Sequence, residues 1–224
     1  MSRMSNVTTR QILLVDDHPI VREGLAESIN AESDLEVCAE AEDRHEALEA
    51  ITRTRPDLAV VDLTLKNSSG MELIKDVHAR WPHLPMLVVS MHDESLYAER
   101  VLRAGARGFI TKQEATRNIL VAIRCVLGGQ IYLNQKTAST VISRLTAQAG
   151  SVAQGGTDLL ADRELQVFEF TGDGLSIRQI AERLHIDTKT VETYRARIKE
   201  KLRLKDSSEL LQTAIRWRRE GFDG

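Results

Sequence analysis

Between Gln11 and about Gly129, short continuous apolar runs alternate with stretches whose apolar residues recur at helical spacing. The runs are ILLV (12–15), LEVCA (35–39), LAVVD (58–62), MLVVS (86–90) and GFI (108–110). Short apolar runs bounded by polar turns predict strands covered on both faces, as in a parallel sheet. Stretches near 19–30, 43–53, 70–80, 94–104 and 115–127 predict amphipathic helices. In the first of these, Ile20, Leu25 and Ile29 are expected to share the face that packs on the sheet, with Arg22 and Glu23 turned outward. Five strands and five helices in strict alternation predict a doubly wound α/β domain, with its functional crevice at the carboxyl ends of the strands.

The pattern breaks at Gly128-Gly129, a helix stop. A further helix is expected near 134–145, carrying Val141, Ile142 and Leu145. Thr146 to Thr157, TAQAGSVAQGGT, has the small, polar composition of a flexible linker. Beyond it no strand pattern occurs, only four helical ones near 162–172, 176–184, 188–202 and 207–218. Side-chain oxygens for their N-caps are expected from Asp162, followed by Glu164, from Ser176, from Asp187 or Thr188, and from Ser207 or Ser208. The chain therefore divides into an α/β domain over 11–130, a linker helix and flexible linker over 131–157, and a small all-α domain over 158–224.

Composition narrows the class. The 224 residues are 28% charged and 42% hydrophobic, the balance of a globular protein. The first eleven residues lack an apolar core, and no apolar run approaches the roughly 20 residues of a membrane span, so a cytoplasmic protein without membrane contact is expected. Cys38 and Cys125 have no metal-ligand or redox-motif spacing and read as buried apolar thiols. The net charge of -3 hides an uneven layout. Residues 1–125 carry 15 bases against 20 acids, whereas 188–205 alone carry seven bases (Lys189, Arg195, Arg197, Lys199, Lys201, Arg203, Lys205) against Glu192 and Glu200. An acidic half joined to a half with a basic stripe suggests two tasks.

The chemically interesting residues of the first half follow its strands. Asp16 and Asp17 come after the first, Asp62 ends the third, Ser90 ends the fourth and Lys112 lies just beyond the fifth, so a parallel sheet gathers them at one end. Three carboxylates there repel one another unless a cation joins them, and hard oxygen ligands suit Mg2+. A hydroxyl and an ammonium beside them complement a phosphoryl group.

ILLVDDHPIVREGL, PDLAVVDL ending in Asp62, LVVS ending in Ser90 and AGARGFITK ending in Lys112 resemble the receiver domain of bacterial two-component response regulators, over about residues 11–130. The resemblance implies a flavodoxin-like fold. It implies that Asp62 is the phosphoacceptor and that Asp17, Asp62 and the Thr64 main-chain carbonyl ligate Mg2+, with Asp16 acting through bound water. Lys112 and the metal would neutralise the transferring phosphoryl group. Ser90 would bond a phosphoryl oxygen, and Phe109 would turn inward as that loop closes, coupling about two units of new charge to a surface change. Competing readings make Asp16 and Asp17 caps of the helix beginning near Pro19, Phe109 core filling, His18 a loop residue beside the acids, and His92 either a contact of the phosphodonor or an exposed bystander. Two positions depart from the family pattern. Lys66 stands where this subfamily often has proline, which predicts a more mobile loop. Met91 is bulky at the border of the pocket and is expected to slow small phosphodonors relative to a kinase.

In the last domain SIRQIAERL, HID and TKTVETYRARIKEKL read as helix, turn, helix. Ile177, Ile180, Ala181 and Leu184 face inward on the first helix, and Val191, Ile198 and Leu202 on the second. Lys189, Glu192, Thr193, Arg195, Ala196 and Lys199 then lie largely on the outer side, as a recognition helix entering the major groove requires. LADREL, GLSIRQIAERLHIDTKTVETYRARIKEKL and SSELLQTAIRW resemble the LuxR-type DNA-binding domain of NarL/FixJ-type response regulators. The resemblance implies base-edge contacts from Glu192, Thr193 and Ala196 and phosphate contacts from Lys189, Arg195 and Lys199. Tyr194 replaces a histidine common in relatives; it reaches a phosphate or packs half-buried. The final helix offers Leu211, Ile215 or Trp217 either to a dimer partner or to its own domain.

Together these features imply a transcription regulator controlled by phosphorylation. Its partners would be a histidine kinase, double-stranded DNA, a second copy of the chain when phosphorylated, and RNA polymerase. Its enzymatic activity would be confined to Mg2+-dependent self-phosphorylation from a phosphodonor and slow self-dephosphorylation. Two rivals remain: a regulator that binds DNA without phosphate, using the receiver as a dimerisation scaffold, and a phosphatase or phosphotransferase with an aspartyl intermediate. Haloacid-dehalogenase phosphatases carry Asp-x-Asp after the first strand; here the two acids are adjacent and the candidate nucleophile ends the third.

Overall fold

The computed structural model describes residues 9–66, 68–147 and 157–220. It divides into two compact units, residues 1–143 and 144–224. The expected flexible linker lies mostly outside the described residues.

The first unit is built on strands β1 (Arg10–Val15), β2 (Leu35–Ala41), β3 (Leu58–Val61), β6 (Met86–Ser90) and β7 (Gly108–Thr111). They form one parallel sheet in the order β2-β1-β3-β6-β7, the flavodoxin-like order 2-1-3-4-5 when only these five are counted. Helices α1 (Pro19–Asn30) and α5 (Lys112–Leu127) cover one face. There Leu25, Ile29, Ile119, Ile123 and Val126 pack on Ile12, Leu14, Leu58, Val60, Leu87, Val89 and Ile110. The alternate strand residues Leu13, Val15, Val61, Val88 and Phe109 are equally buried and, by the period of two, point to the opposite face. Helices α2 (Arg44–Thr54), α3 (Gly70–Arg80) and α4 (Glu94–Ala104) bring Ile51, Leu73, Ile74 and Val101 into the core. Between β3 and α3 the chain forms a two-stranded antiparallel ribbon, β4 (Thr64–Leu65) and β5 (Ser68–Ser69), too short to leave a periodic signal.

Several expectations are corrected. Ile20 is 84% exposed, because nine residues at 100° each place it half a turn from Ile29. Arg22 is half-buried rather than outward: its Nε donates to Glu40 (2.7 Å) and its Nη1 to the Asp16 carbonyl (2.5 Å). Cys38 and Cys125 are free thiols and only half-buried, Cys38 because it lies on edge strand β2. Lys66 is bonded to Glu42, which follows β2. Its amide donates to the Glu42 carbonyl (3.3 Å) and its ammonium pairs with the Glu42 carboxylate (2.5 Å).

After α5 the chain returns along the sheet edge, where Tyr132 bridges Gly108, and then enters α6 (Gln135–Ala147). The second unit has a short 3-10 turn (Thr157–Leu159), α7 (Asp162–Gly172), α8 (Ile177–Leu184), α9 (Thr188–Leu202) and α10 (Ser207–Glu220). Its core gathers Leu165, Phe168, Ile180, Leu184, Val191, Ile198, Leu210 and Ala214. Ile177 and Leu202, expected inside, are only half-buried at the helix ends. Ser176 and Asp187 cap α8 and α9, accepting from the amides of Gln179 (3.3 Å) and Thr190 (2.7 Å). Two caps differ from expectation. Ala161 stands at the N-cap of α7, where its amide donates to Glu164 (2.8 Å), so Asp162 is already helical. Asp206, not Ser207 or Ser208, accepts the first amides of α10 from Ser208 (2.8 Å) and Glu209 (2.9 Å).

Candidate functional site

Sheet order decides the first site. β1 and β3 are neighbours, with Val15 opposite Val61 and Val61 opposite Val88, so the residues that follow these strands emerge side by side. The Asp62 amide donates to the Val15 carbonyl (2.8 Å), which holds the end of β3 against the end of β1. Asp16 and Asp62 are buried there. Lys112, the first residue of α5 and 8% exposed in its side chain, places Nζ 2.6 Å from Asp16 Oδ2 and 2.7 Å from Asp62 Oδ2. The other Asp62 oxygen accepts a long bond from the Thr64 amide (3.3 Å). Burial pushes the Asp62 carboxyl up and the Asp16 charge adds to this, while Lys112 opposes both. Burial alone would lower the Lys112 ammonium, yet the two carboxylates outweigh it and leave it raised. Two carboxylates thus share one ammonium.

Oxygen atoms of Asp16, Asp17 and Asp62 and a ring nitrogen of His18 all lie within 4.8 Å of one another. His18 Nδ1 is 2.6 Å from Asp17 Oδ1, so His18 is a neighbour of the acids. His18 itself occupies the N-cap position of α1, without a side-chain bond to the helix, and its amide donates to Asp16 Oδ1 (2.8 Å). Three carboxylates against one ammonium leave a negative excess that a hard divalent cation would balance, and the oxygen donors fit such an ion.

Ser90 is fully buried at the end of β6, and its Oγ accepts a long bond from the His92 amide (3.4 Å). His92 is buried, not an exposed bystander. Its Nε2 meets Thr64 Oγ1 at 3.2 Å and its ring lies 4.7 Å from that of Tyr97. Phe109 is fully buried on β7. Met91 is 69% exposed beside Ser90.

A residue that the sequence reading missed is Gly70. A Cβ on it would come 1.9 Å from the Asp62 carbonyl oxygen, so α3 can begin against the Asp62 main chain only with glycine there. The sole signal in the sequence is a glycine eight residues after the acid.

On α9 the structure splits the basic stripe. Lys189, Glu192, Thr193, Ala196 and Arg197 are exposed, and Lys199 and Tyr194 are half-buried. Arg195 is not on the outer side: it lies four residues from buried Val191 and three from Ile198, and its Nη1 reaches Thr171 (3.4 Å) on α7. Burial accordingly lowers its guanidinium below the usual range. Lys201 pairs with buried Glu164 at 2.6 Å. On α10, Trp217 lies 5.2 Å from Phe168 of its own unit, whereas Leu211 is exposed.

Residues 12–124 match the family model described as the response regulator receiver domain, and residues 158–214 match that of bacterial regulatory proteins of the luxR family. The oxygen regulatory protein NreC of Staphylococcus aureus (strain JH9) is 31% identical over 210 residues, which cover 92% of this chain and 97% of NreC. A crystal structure of a LuxR-family two-component response regulator from Aurantimonas sp. SI85-9A1 is 34% identical with a TM-score of 0.57, covering 62% of this chain and 99% of that one. RcsB of Salmonella enterica serovar Typhimurium, bound to promoter rprA in the presence of the phosphomimetic BeF3-, shares the fold at 22% identity and a TM-score of 0.60 over 92% of this chain and 98% of RcsB. With a parallel five-stranded sheet in its first unit and a helix-turn-helix in its second, the chain belongs to the response regulators of the NarL/FixJ type, transcription regulators that join a receiver domain to a LuxR-type DNA-binding domain.

Proposed function

We propose that a histidine kinase phosphorylates Asp62 and that this controls sequence-specific DNA binding by the second unit. The observation that carries the reading is the Lys112 ammonium held within 2.7 Å of both Asp16 and Asp62, at the ends of adjacent strands. An oxygen of Asp62 forms the new O–P bond while the P–N bond of the kinase's phosphohistidine breaks and its electron pair returns to the imidazole. Asp17, Asp62 and the Thr64 carbonyl, with Asp16 through water, would hold Mg2+, whose charge offsets that of the transferring group. Lys112 stays in place to neutralise a phosphoryl oxygen, and the Ser90 hydroxyl lies at the end of the next strand to bond another. The same groups support self-phosphorylation from a small phosphodonor and slow self-hydrolysis.

The working boundaries are a receiver over 11–130, a connection over 131–157 and the DNA-binding domain over 158–224. Exposed Glu192, Thr193 and Ala196 are assigned to base edges, Lys189 and Lys199 to phosphates, and exposed Arg197 joins them. Arg195 and Tyr194, drawn toward α7 or half-buried, are assigned to holding the helix. Phosphorylation would favour a homodimer on paired half-sites, with RNA polymerase as a further partner, in the cytoplasm. No helix among the described residues is long and apolar enough to cross a membrane.

The test is phosphodonor labelling in Mg2+ followed by DNA titration. One phosphoryl group per chain, absent in Asp62→Asn, together with tighter DNA binding, is expected. No labelling overturns the reading. Labelling without any change in DNA affinity favours the receiver as a phosphate-independent scaffold.

A further inference from the structure

The acid Glu94 lies outside the phosphoacceptor cluster and is 3% exposed, at the first turn of α4. Both of its carboxylate oxygens are taken by one residue, Asn134. Oε1 accepts from the Asn134 amide (2.8 Å) and Oε2 from the Asn134 side-chain nitrogen. The remaining side-chain atom of Asn134, Oδ1, accepts from the Thr137 amide (2.8 Å) at the start of α6, and Thr137 is itself buried. A single asparagine therefore caps the helix leading toward the DNA-binding unit and ties it to α4 (its own amide, Oδ1 and Nδ2 are all in use).

The same segment is also bonded to β7. Phe109 donates its amide to the Tyr132 carbonyl (2.9 Å) and Tyr132 donates to the Arg107 carbonyl (3.0 Å). The route from the proposed phosphoryl site is short. Glu94 is four residues from Ser90, and between them His92 donates to Ser90 Oγ, meets Thr64 and stacks near Tyr97 of α4. Were Ser90 Oγ drawn toward a phosphoryl oxygen, its long bond from the His92 amide (3.4 Å) is the contact through which the strand-to-helix turn carrying Glu94 would feel the shift.

We propose that the Glu94–Asn134 clasp is a conformational latch that holds the start of α6, and that occupation of the Asp62 site opens it. The inference rests on the phosphoacceptor reading of Asp62. The Glu94 charge in the clasp is opposed by its surroundings. Burial, with Glu114 of α5 and the adjacent Asp93 adding like charge, pushes the Glu94 carboxyl up to about 7 against the bonds from Asn134, so its charged form is held at a cost. By reciprocity, if the phosphoryl group opens the latch, an opened latch binds the phosphoryl mimic more tightly by the same factor.

Asn134→Asp separates the two duties of the residue. Its carboxylate still caps Thr137, but an oxygen replaces the nitrogen facing Glu94, and at a pH well above 7, where both acids are ionised, they repel. The experiment is titration of the full chain with beryllofluoride and Mg2+, followed by fluorine NMR, together with hydrogen exchange at the amides of 132–143. In the wild type, beryllofluoride is expected to speed exchange over this segment. In Asn134→Asp exchange is fast from the outset, and beryllofluoride binds about 5-fold tighter or more, the lower end of ordinary allosteric coupling. Should Asn134→Asp fail to fold, Asn134→Ser keeps a capping hydroxyl too short to reach Glu94 and is expected to behave alike. Unchanged beryllofluoride affinity in a variant whose segment exchanges faster overturns the latch alone, as does wild-type exchange insensitive to beryllofluoride. A wild type that binds no beryllofluoride overturns the phosphoacceptor reading, and the latch with it.

Discussion

The two units use charge in opposite ways. Around Asp62 the charged groups are withdrawn from water and committed to one another: Lys112 pairs with both Asp16 and Asp62 and opposes the burial that disfavours the Asp62 charge. On α9, Lys189, Glu192 and Arg197 are exposed to water. The difference teaches where a charge substitution reads as stability and where it reads as binding. Removing a partner from a buried set strands a charge, whereas removing an exposed one leaves the fold nearly unchanged. Within α9 itself a similar division recurs, since Lys201 and Arg195 reach Glu164 and Thr171 of the same domain while Lys189, Glu192 and Arg197 are exposed.

The strongest way to break this contrast is Lys112→Ala. Two buried carboxylates then face each other without an ammonium, and the receiver is expected to lose about 3–5 kcal/mol in urea unfolding with a chelator present. Part of that loss should return with Mg2+, and a variant as stable as the wild type in chelator would mean that Lys112 is not the counter-charge. Next is Gly70→Ala, which keeps every charge and displaces the main chain of Asp62 and Leu63. A cost of about 1–3 kcal/mol is expected, together with weakened beryllofluoride binding. Beryllofluoride binding as tight as in the wild type would show that the position of Asp62 is not set from α3.

A third comparison uses pH. The folded Glu94 carboxyl lies at about 7 against an ordinary 4.5, so the native state binds the proton more tightly than the unfolded chain. The stability this group contributes is therefore present at low pH and is lost as pH rises from the ordinary value through about 7. Glu94→Gln should flatten the fall of stability between those limits, and an unaltered pH profile would place the dependence on another group. The smallest effect on the fold belongs to Lys189→Ala. Its stability should stay within about 0.5 kcal/mol of the wild type, while the salt dependence of DNA binding loses about one unit of slope. Arg195→Ala sharpens the contrast by the reverse outcome: lower thermal stability of the second unit with a salt slope nearly intact.

Much of this was legible in the chain because it depends on neighbours along it. Apolar runs such as LAVV and MLVVS announce buried parallel strands, and an acid at the end of such a run must emerge at the carboxyl edge of the sheet. The helix-turn-helix was legible for the same reason, as the turn 185–187 with its capping Asp187 is local. Periodicity does not place Ile20, half a turn from Ile29, on the packed face, nor Arg195, whose spacing from Val191 and Ile198 turns it toward α7. Caps were misread by one residue at α10, where Asp206 and two serines compete and only backbone geometry chooses among them.

The sequence by itself determined the order of strands and helices, the acids, hydroxyl and lysine at the strand ends, and the basic helix after a tight turn, since each follows from spacing along one chain. Only the tertiary structure decided that Lys112 serves two carboxylates at once, that Gly70 is pressed against Asp62, that Lys201 belongs to Glu164, and that Asn134 clasps Glu94. Each of these is a contact between residues 8 to 96 positions apart. Hydrogen bonds and close packing are set to within a few tenths of an ångström by the register of separate elements, and spacing along the chain carries no measure of that distance.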